Sequence, residues 1–363
     1  MKDRVAFITI HVGANFGSVL QTIATSNVIS SLGKNPLLIN YIPKRVTFKG
    51  YFRRMFSGIK PFIKGFIMLP NFMRNMAIYG SYLKKYCPVS VPIKDEDDFA
   101  KKCPIADYYV TGSDQVWNSK HNEGFNERYY FAQLPKDVVR ISFASSIGEN
   151  SLSDEHTARM RSLLSNYKAI SVREESAKLL IEKMGLEVTH LLDPTFMLSK
   201  EEWEPYMNQR QVSEDYLLIY TPYNTVDKKA IFDAARKIAK EKKLRIVTFS
   251  WDWRKEKMAD YTVTYANPGT FLSLMRYATY VVTNSFHGTA FSINFNKQFS
   301  VFMPSAFSTR ISSIIKLCGL QERMVIDSFS VEKSQNLIDY TKVNEVLDRE
   351  RTKSIAFLKQ AFS

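Results

Sequence analysis

Short apolar runs alternate with stretches of helical periodicity over most of the chain. In the first half, the runs at residues 5–10, 36–40, 106–111, 140–148, 169–173 and 188–194 predict strands, and the periodic stretches at 19–32, 153–167 and 174–184 predict helices. The second half repeats the alternation, with strands predicted at 216–221, 244–249, 261–265, 279–283 and 298–303 and helices at 226–240, 268–276 and 309–318. Strand-helix-strand order predicts doubly wound parallel sheets, whose ligands lie beyond the carboxyl ends of the strands. A polar interval at 200–213 marks a boundary. It sets an N-terminal α/β domain at 1–208, a C-terminal α/β domain at 209–332, and a helical tail at 333–363 expected to pack back on the first domain. The predicted fold class is therefore α/β, with two Rossmann-like domains facing a cleft.

One stretch breaks the alternation. From Thr47 to Tyr86, aromatic residues are interleaved with bases, which predicts one or two interrupted amphipathic helices within a basic insertion at about 44–94. The net charge is +14, and the interval from Arg4 to Lys94 holds 13 bases and no Asp or Glu, so the remaining sequence is nearly neutral. Such a composition suits an anionic bilayer surface, with Arg53, Arg54, Lys60 and Lys64 as candidate membrane-surface contacts. A solvated basic face over packed aromatics is the structural alternative. Nucleic acid is not expected as a partner, because no recognised binding motif accompanies the charge.

Composition narrows the class further. A length of 363 residues and 45% hydrophobic content fit a folded chain of two domains. Cys87, Cys103 and Cys318 are an odd set without metal-ligand spacing, so no metal site, no disulfide framework and a reducing cytoplasm are expected. The first apolar run is cut short by His11, Gly13 and Asn15 and reads as a strand, not a signal peptide. No stretch reaches the ~20 apolar residues of a membrane span.

Candidate chemistry gathers at predicted strand ends. Residues 280–295 form an apolar strand, the polar turn Thr283-Asn-Ser285 and the start of a second apolar run at His287-Gly288. Free N–H groups and the positive end of a helix dipole would converge there, beside a hydroxyl and an imidazole, as an anion site. The alternative is that Ser285 caps the helix and His287 is a hydrogen-bonded core residue. Gly112-Ser-Asp-Gln-Val-Trp-Asn118 follows another strand, a lone Arg173 ends a third, and Asn15 and Gly17 lie on the loop after the first.

Taken in order, Asn15-Phe-Gly17 with Leu20-Gln21, Gly112-Ser-Asp-Gln-Val-Trp-Asn118, Ser142-Phe-Ala-Ser-Ser146, Ser171-Val-Arg-Glu-Glu-Ser176, Leu192-Asp-Pro194 and Asn284-Ser-Phe-His-Gly-Thr289 resemble the polysaccharide pyruvyltransferase family. That resemblance implies a GT-B-like fold. It also implies transfer of a pyruvyl group from phosphoenolpyruvate onto two hydroxyls of a sugar as a cyclic ketal, in capsular or exopolysaccharide biosynthesis. No cofactor is implied, phosphoenolpyruvate being the donor substrate. The acceptor would be a galactose-type hexose of a polyprenyl-diphosphate-linked repeat unit, which places the protein in the cytoplasm, peripheral on the inner face of the cell membrane.

Roles follow for residues already marked. His287 is assigned as the acid that protonates the enol methylene or assists phosphate departure. Arg173 is assigned as a two-point clamp on donor carboxylate or phosphate, with an ion pair to Glu174, Glu175 or a neighbour as its alternative. Asp114 accepts a proton from the attacking hydroxyl, orients that hydroxyl, or caps the Gly112-Ser113 turn. Ser285, Asn284, Gly288, Asn15 and Gly17 are donor contacts; Arg310 joins them, although a solvated helix face is its first expectation. Trp117, Gln115 and Ser113 are acceptor contacts, although core packing is the default for a Trp beside Val116. A nucleotide-sugar-dependent glycosyltransferase of the same architecture and a non-catalytic, membrane-attached scaffold for polysaccharide enzymes are the competing functions.

Overall fold

The computed structural model describes residues 2–95, 97–223, 226–305, 308–326 and 329–363. The chain divides into two compact units, Met1–Pro194 with Ile355–Ser363, and Thr195–Ser354. The helix Tyr340–Ala361 passes from the second unit into the first.

Among the described residues the first unit carries a parallel sheet of five strands, in spatial order Asn35–Leu38, Arg4–Ile8, Tyr108–Thr111, Val139–Ser142 and Tyr167–Ala169. Val5, Ala6, Phe7 and Ile8 are all buried, so both faces of this sheet are covered, which is why its first strand reads as a continuous apolar run. The helix Phe16–Ser31 follows the first strand and is capped by Asn15, whose side chain accepts from the Ser18 N–H. At the far end of the chain, Phe362 packs edge-on to Tyr108 with centroids 5.1 Å apart, and the Tyr108 hydroxyl donates to the Phe362 carbonyl at 2.6 Å.

Two predicted strands are shorter than the sequence suggests. The run at 140–148 is extended only through Ser142, and Ala144 takes a left-handed φ of 52°. The run at 169–173 breaks at Ile170: Tyr167–Ala169 stays in the main sheet, whereas Ser171–Val172 pairs with Thr189–His190. Hydroxyls cause the break. Ser171 Oγ donates to the Ser142 carbonyl at 2.6 Å and accepts from the Ala144 N–H at 3.0 Å, and Ser142 Oγ accepts from the Ser171 N–H at 2.7 Å. Side chains thus replace ladder bonds where the chain leaves the sheet.

The basic aromatic stretch forms two helices, Phe48–Met55 and Ile59–Tyr86, the second continuing through Pro70. They pack as a hairpin. Tyr51 donates its hydroxyl to the Gly65 carbonyl at 2.5 Å, and a Cβ at Gly65 would lie 2.5 Å from Met55 Cγ. That glycine leaves room for the Met55 side chain between the two helices.

The second unit carries a parallel sheet of six described strands, in order Tyr261–Val263, Arg245–Phe249, Tyr216–Tyr220, Tyr280–Thr283, Gln298–Phe302 and Met324–Val325. Leu217, Ile219, Tyr280 and Val282 pack against Ile231, Phe232, Ala235 and Ile238 of the helix Lys228–Lys242. In both units the carboxyl ends of the central strands open into the polar turns that carry the candidate chemistry.

Candidate functional site

In the second unit, the strand Tyr280–Thr283 ends in a turn that starts the helix Phe286–Asn294. Ser285 has extended backbone (φ −111°, ψ 140°), and its Oγ caps the helix by accepting from the Gly288 N–H at 3.4 Å. Thr283 Oγ1 donates to the Tyr220 carbonyl at 2.6 Å and accepts from the Ser285 N–H at 3.1 Å. Asn284 Nδ2 donates to the Tyr223 carbonyl at 2.7 Å, and its Oδ1 is buried without a hydrogen bond. The turn is tight enough to require glycine next. A Cβ at Gly288 would collide with Thr283 Oγ1 and stand 2.9 Å from Tyr220 Cδ1. Burial raises the Tyr220 phenol well above its ordinary value, against a hydrogen bond with Ser285, so this hydroxyl stays neutral.

Two cationic or protonatable groups share one aromatic ring at this turn. The Phe286 ring meets the His287 imidazole edge-on at 5.1 Å, and the Arg310 guanidinium lies over the same ring at 5.7 Å. Arg310 projects from the helix Ser308–Leu317 and is 2% exposed. It is not on a solvated helix face: the Phe286 ring gives the buried guanidinium an attractive surface. His287, Arg310, Ser285, Asn284 and Gly288 thus gather at one helix N-terminus. Asn15 and Gly17 belong to the first unit, and the Asn15 side chain serves as the helix cap.

In the first unit the polar centre is a buried charge cluster. Asp114 follows the strand Tyr108–Thr111 with a left-handed φ of 70°, a conformation its short polar side chain supports by accepting from the Gln115 N–H at 2.9 Å. Its other oxygen accepts from Ser18 Oγ at 2.6 Å, and Arg173 Nη2 stands 3.2 Å from Oδ1. Arg173 Nη1 donates to Asp193 at 2.5 Å, and Ser113 Oγ donates to that same carboxylate oxygen at 2.9 Å. Glu174 is a third acid, its Oε2 3.9 Å from Arg173 Nε, while its Oε1 accepts from Ser146 Oγ and the N–H groups of Ile147 and Gly148, each at 2.9 Å. Burial works against the charge of Arg173, but Asp193, Asp114 and Glu174 outweigh it and raise the guanidinium above its ordinary value.

This arrangement changes several assignments. The Arg173 side chain is 0% exposed and faces three carboxylates, the ion-pair arrangement that is its alternative to a donor clamp, and it holds Asp114 in place. Asp114 caps its turn, one of its three expected uses, and its second oxygen is taken by the Ser18 hydroxyl. Trp117 is 2% exposed and stacks on Tyr130 at 5.6 Å with an interplanar angle of 14°, so it is a core residue and not a sugar platform. Gln115 is committed to Asn118, whose Nδ2 donates to it at 2.8 Å, and Ser113 is committed to Asp193. Ser18 and Asp193 were not singled out from the sequence, and Glu174 was singled out only as an ion-pair alternative for Arg173, a contact it makes at 3.9 Å. Their signals were an acid before proline at a strand exit, an acid after the lone arginine, and a hydroxyl in the first turn of the first helix. Among the described residues no group of three or more His, Cys, Asp or Glu side chains has metal-binding geometry.

The profile of a family described as polysaccharide pyruvyl transferase matches residues 15–305. No curated protein sequence matches the chain significantly. Among solved structures, the fold resembles a candidate UDP-N-acetylglucosamine 2-epimerase from Listeria monocytogenes, at TM-score 0.55 and 8% identity, covering 99% of this chain and 91% of that one. It also resembles S. aureus MnaA solved with UDP, at TM-score 0.50 and 11% identity, covering 98% and 90%. These likenesses establish the fold, α/β with two Rossmann-like units of the GT-B-like kind. The profile spans well over half of the sequence and includes every turn described above, so the chain belongs to the polysaccharide pyruvyl transferase family.

Proposed function

We propose that the protein transfers a pyruvyl group from phosphoenolpyruvate to two hydroxyls of a sugar, forming a cyclic ketal. The acceptor in this reading is a galactose-type hexose carried on a polyprenyl diphosphate, in the assembly of a capsular or exopolysaccharide. The supporting observation is the turn at Asn284 to Gly288, where a buried imidazole and a buried guanidinium flank one helix N-terminus.

The chemistry assigns work to each group. A proton added to the enol methylene makes carbon-2 electrophilic, the first sugar hydroxyl bonds to it, phosphate departs, and the second hydroxyl closes the ketal. The two hydroxyl protons are balanced by one on the new methyl group and one on phosphate. The helix N-terminus and Arg310 hold the phosphate. His287 supplies the proton to the methylene or to the leaving phosphate. Asp114 takes the proton from an attacking hydroxyl or orients it, and Arg173 holds the Asp114 carboxylate in place.

Phosphate release from phosphoenolpyruvate, measured with a lipid-linked galactose-type acceptor, tests this reading. His287→Ala is expected to lower the rate about 10²–10⁴-fold, the usual contribution of a positioned acid. Undiminished release in both His287→Ala and Arg173→Ala contradicts the assignment.

A further inference from the structure

The helical hairpin of the first unit turns its apolar side outward. At 3.6 residues per turn, Ile59, Phe62, Ile63, Phe66, Ile67 and Met73 fall within an arc of about 140° on their helix. All six are exposed, Ile59 at 81% and Phe66 at 66%. The opposite face carries Asn71, Asn75, Tyr79 and Leu83, and these are the residues the helix buries. Tyr79 stacks on Phe16 of the first helix at 5.7 Å, while Asn71 and Asn75 each bury a carboxamide oxygen that has no hydrogen bond. A helix packed on a protein in water has these faces the other way round.

The shorter helix extends the patch. Phe52 stacks on Phe56 at 6.4 Å, Phe56 meets Phe62 across the hairpin at 5.6 Å, and Phe56 is 67% exposed. Arg53, Arg54, Lys60 and Lys64 are exposed beside it, in a segment without a single Asp or Glu. A contiguous apolar surface of this kind marks a contact, and its basic border selects an anionic one. Nucleic acid fits less well, because isoleucine and methionine side chains offer no plane on which a base can stack. A headgroup boundary accepts aliphatic and aromatic side chains alike. No described helix is long and apolar enough to cross a membrane, and a hairpin with one apolar face and a basic border instead engages the interface.

We propose that residues 48–86 dock the protein on an anionic lipid bilayer, with the Ile59 to Met73 arc in the headgroup–acyl boundary and the four bases against lipid phosphates. This docking does not depend on the proposed reaction. The full-length protein is tested by flotation with phosphatidylcholine vesicles with and without phosphatidylglycerol. It is expected to float only with the anionic lipid. The combined change Arg53→Gln, Arg54→Gln, Lys60→Gln and Lys64→Gln is expected to lower partitioning by about two orders of magnitude or more, at roughly five-fold per base. Combined Phe56→Ser, Phe62→Ser and Phe66→Ser should release the protein while keeping the wild-type thermal transition, since these side chains are exposed. Phe56→Trp adds a fluorophore whose emission should shift to the blue and be quenched by brominated lipid. Flotation unchanged in both combined variants overturns the proposal. So does patch-dependent self-association without lipid binding, or nucleic-acid binding by a protein that ignores vesicles.

Discussion

Arg173 shows how burial decides what a side chain can do. Its guanidinium compensates three acids that would otherwise repel one another out of water, so removing it is costly. Arg173→Ala is expected to lower stability by about 3–5 kcal/mol in urea unfolding, because it takes a buried cation from beside three carboxylates. A loss within about 0.5 kcal/mol, typical of a surface change, contradicts the cluster. The same burial explains what single residues in the sequence concealed. His287 and Ser285 were legible because a strand, a polar turn and an apolar run leave few places for them. The packing of Trp117 was legible too, since a Trp beside Val116 packs in a core by default, whereas Arg310 was not, since periodicity cannot say that Phe286 stands ready to cover it. Asp193 and Glu174 lay inside recognised motifs, yet their role depends on three strand exits that meet only after folding.

The strands and helices themselves were largely written in the pattern of apolar positions. The central strands Arg4–Ile8, Tyr216–Tyr220 and Tyr280–Thr283 lie where apolar runs placed them, because buried parallel strands need such runs. The runs at 140–148 and 169–173 were overestimated, since serine hydroxyls can take over backbone bonds without changing the apolar pattern. The exit of the first strand carries a pH response. His11 receives its contacts from Thr9 and from Asn40, at the ends of two neighbouring strands. Burial lowers its pKa below 6.5, against the hydrogen bonds to Thr9 and Asn40. Above about pH 6.5 both the folded and unfolded imidazoles are neutral, and below it only the unfolded chain takes up a proton until the lower folded pKa is reached, so stability falls with pH. His156, also lowered by burial, adds in the same direction. His11→Gln should therefore flatten the decline of Tm between about pH 7 and pH 5; an unchanged decline contradicts the buried neutral histidine.

Over the whole molecule, charge is divided by task. The basic hairpin accounts for most of the net +14, the first unit buries an acid-rich cluster, and the second unit places an imidazole and a guanidinium at a helix N-terminus. The ordered motifs from residue 15 to 305 made the family legible, because turns at successive strand ends recur in a fixed order even when each is weak alone. The inverted faces of the hairpin needed the folded chain, since composition fixes which residues are present but not which side a helix buries. The central claim is that the second unit's turn recognises a phosphate-bearing enol donor. Its most direct test is the thermal shift of the full-length protein with phosphoenolpyruvate and, separately, with UDP, in wild type and Arg310→Gln. Phosphoenolpyruvate should raise the Tm of the wild type, by mass action on the folded state, and raise that of Arg310→Gln much less, with UDP having no effect. Stabilisation by UDP without any by phosphoenolpyruvate would contradict the account.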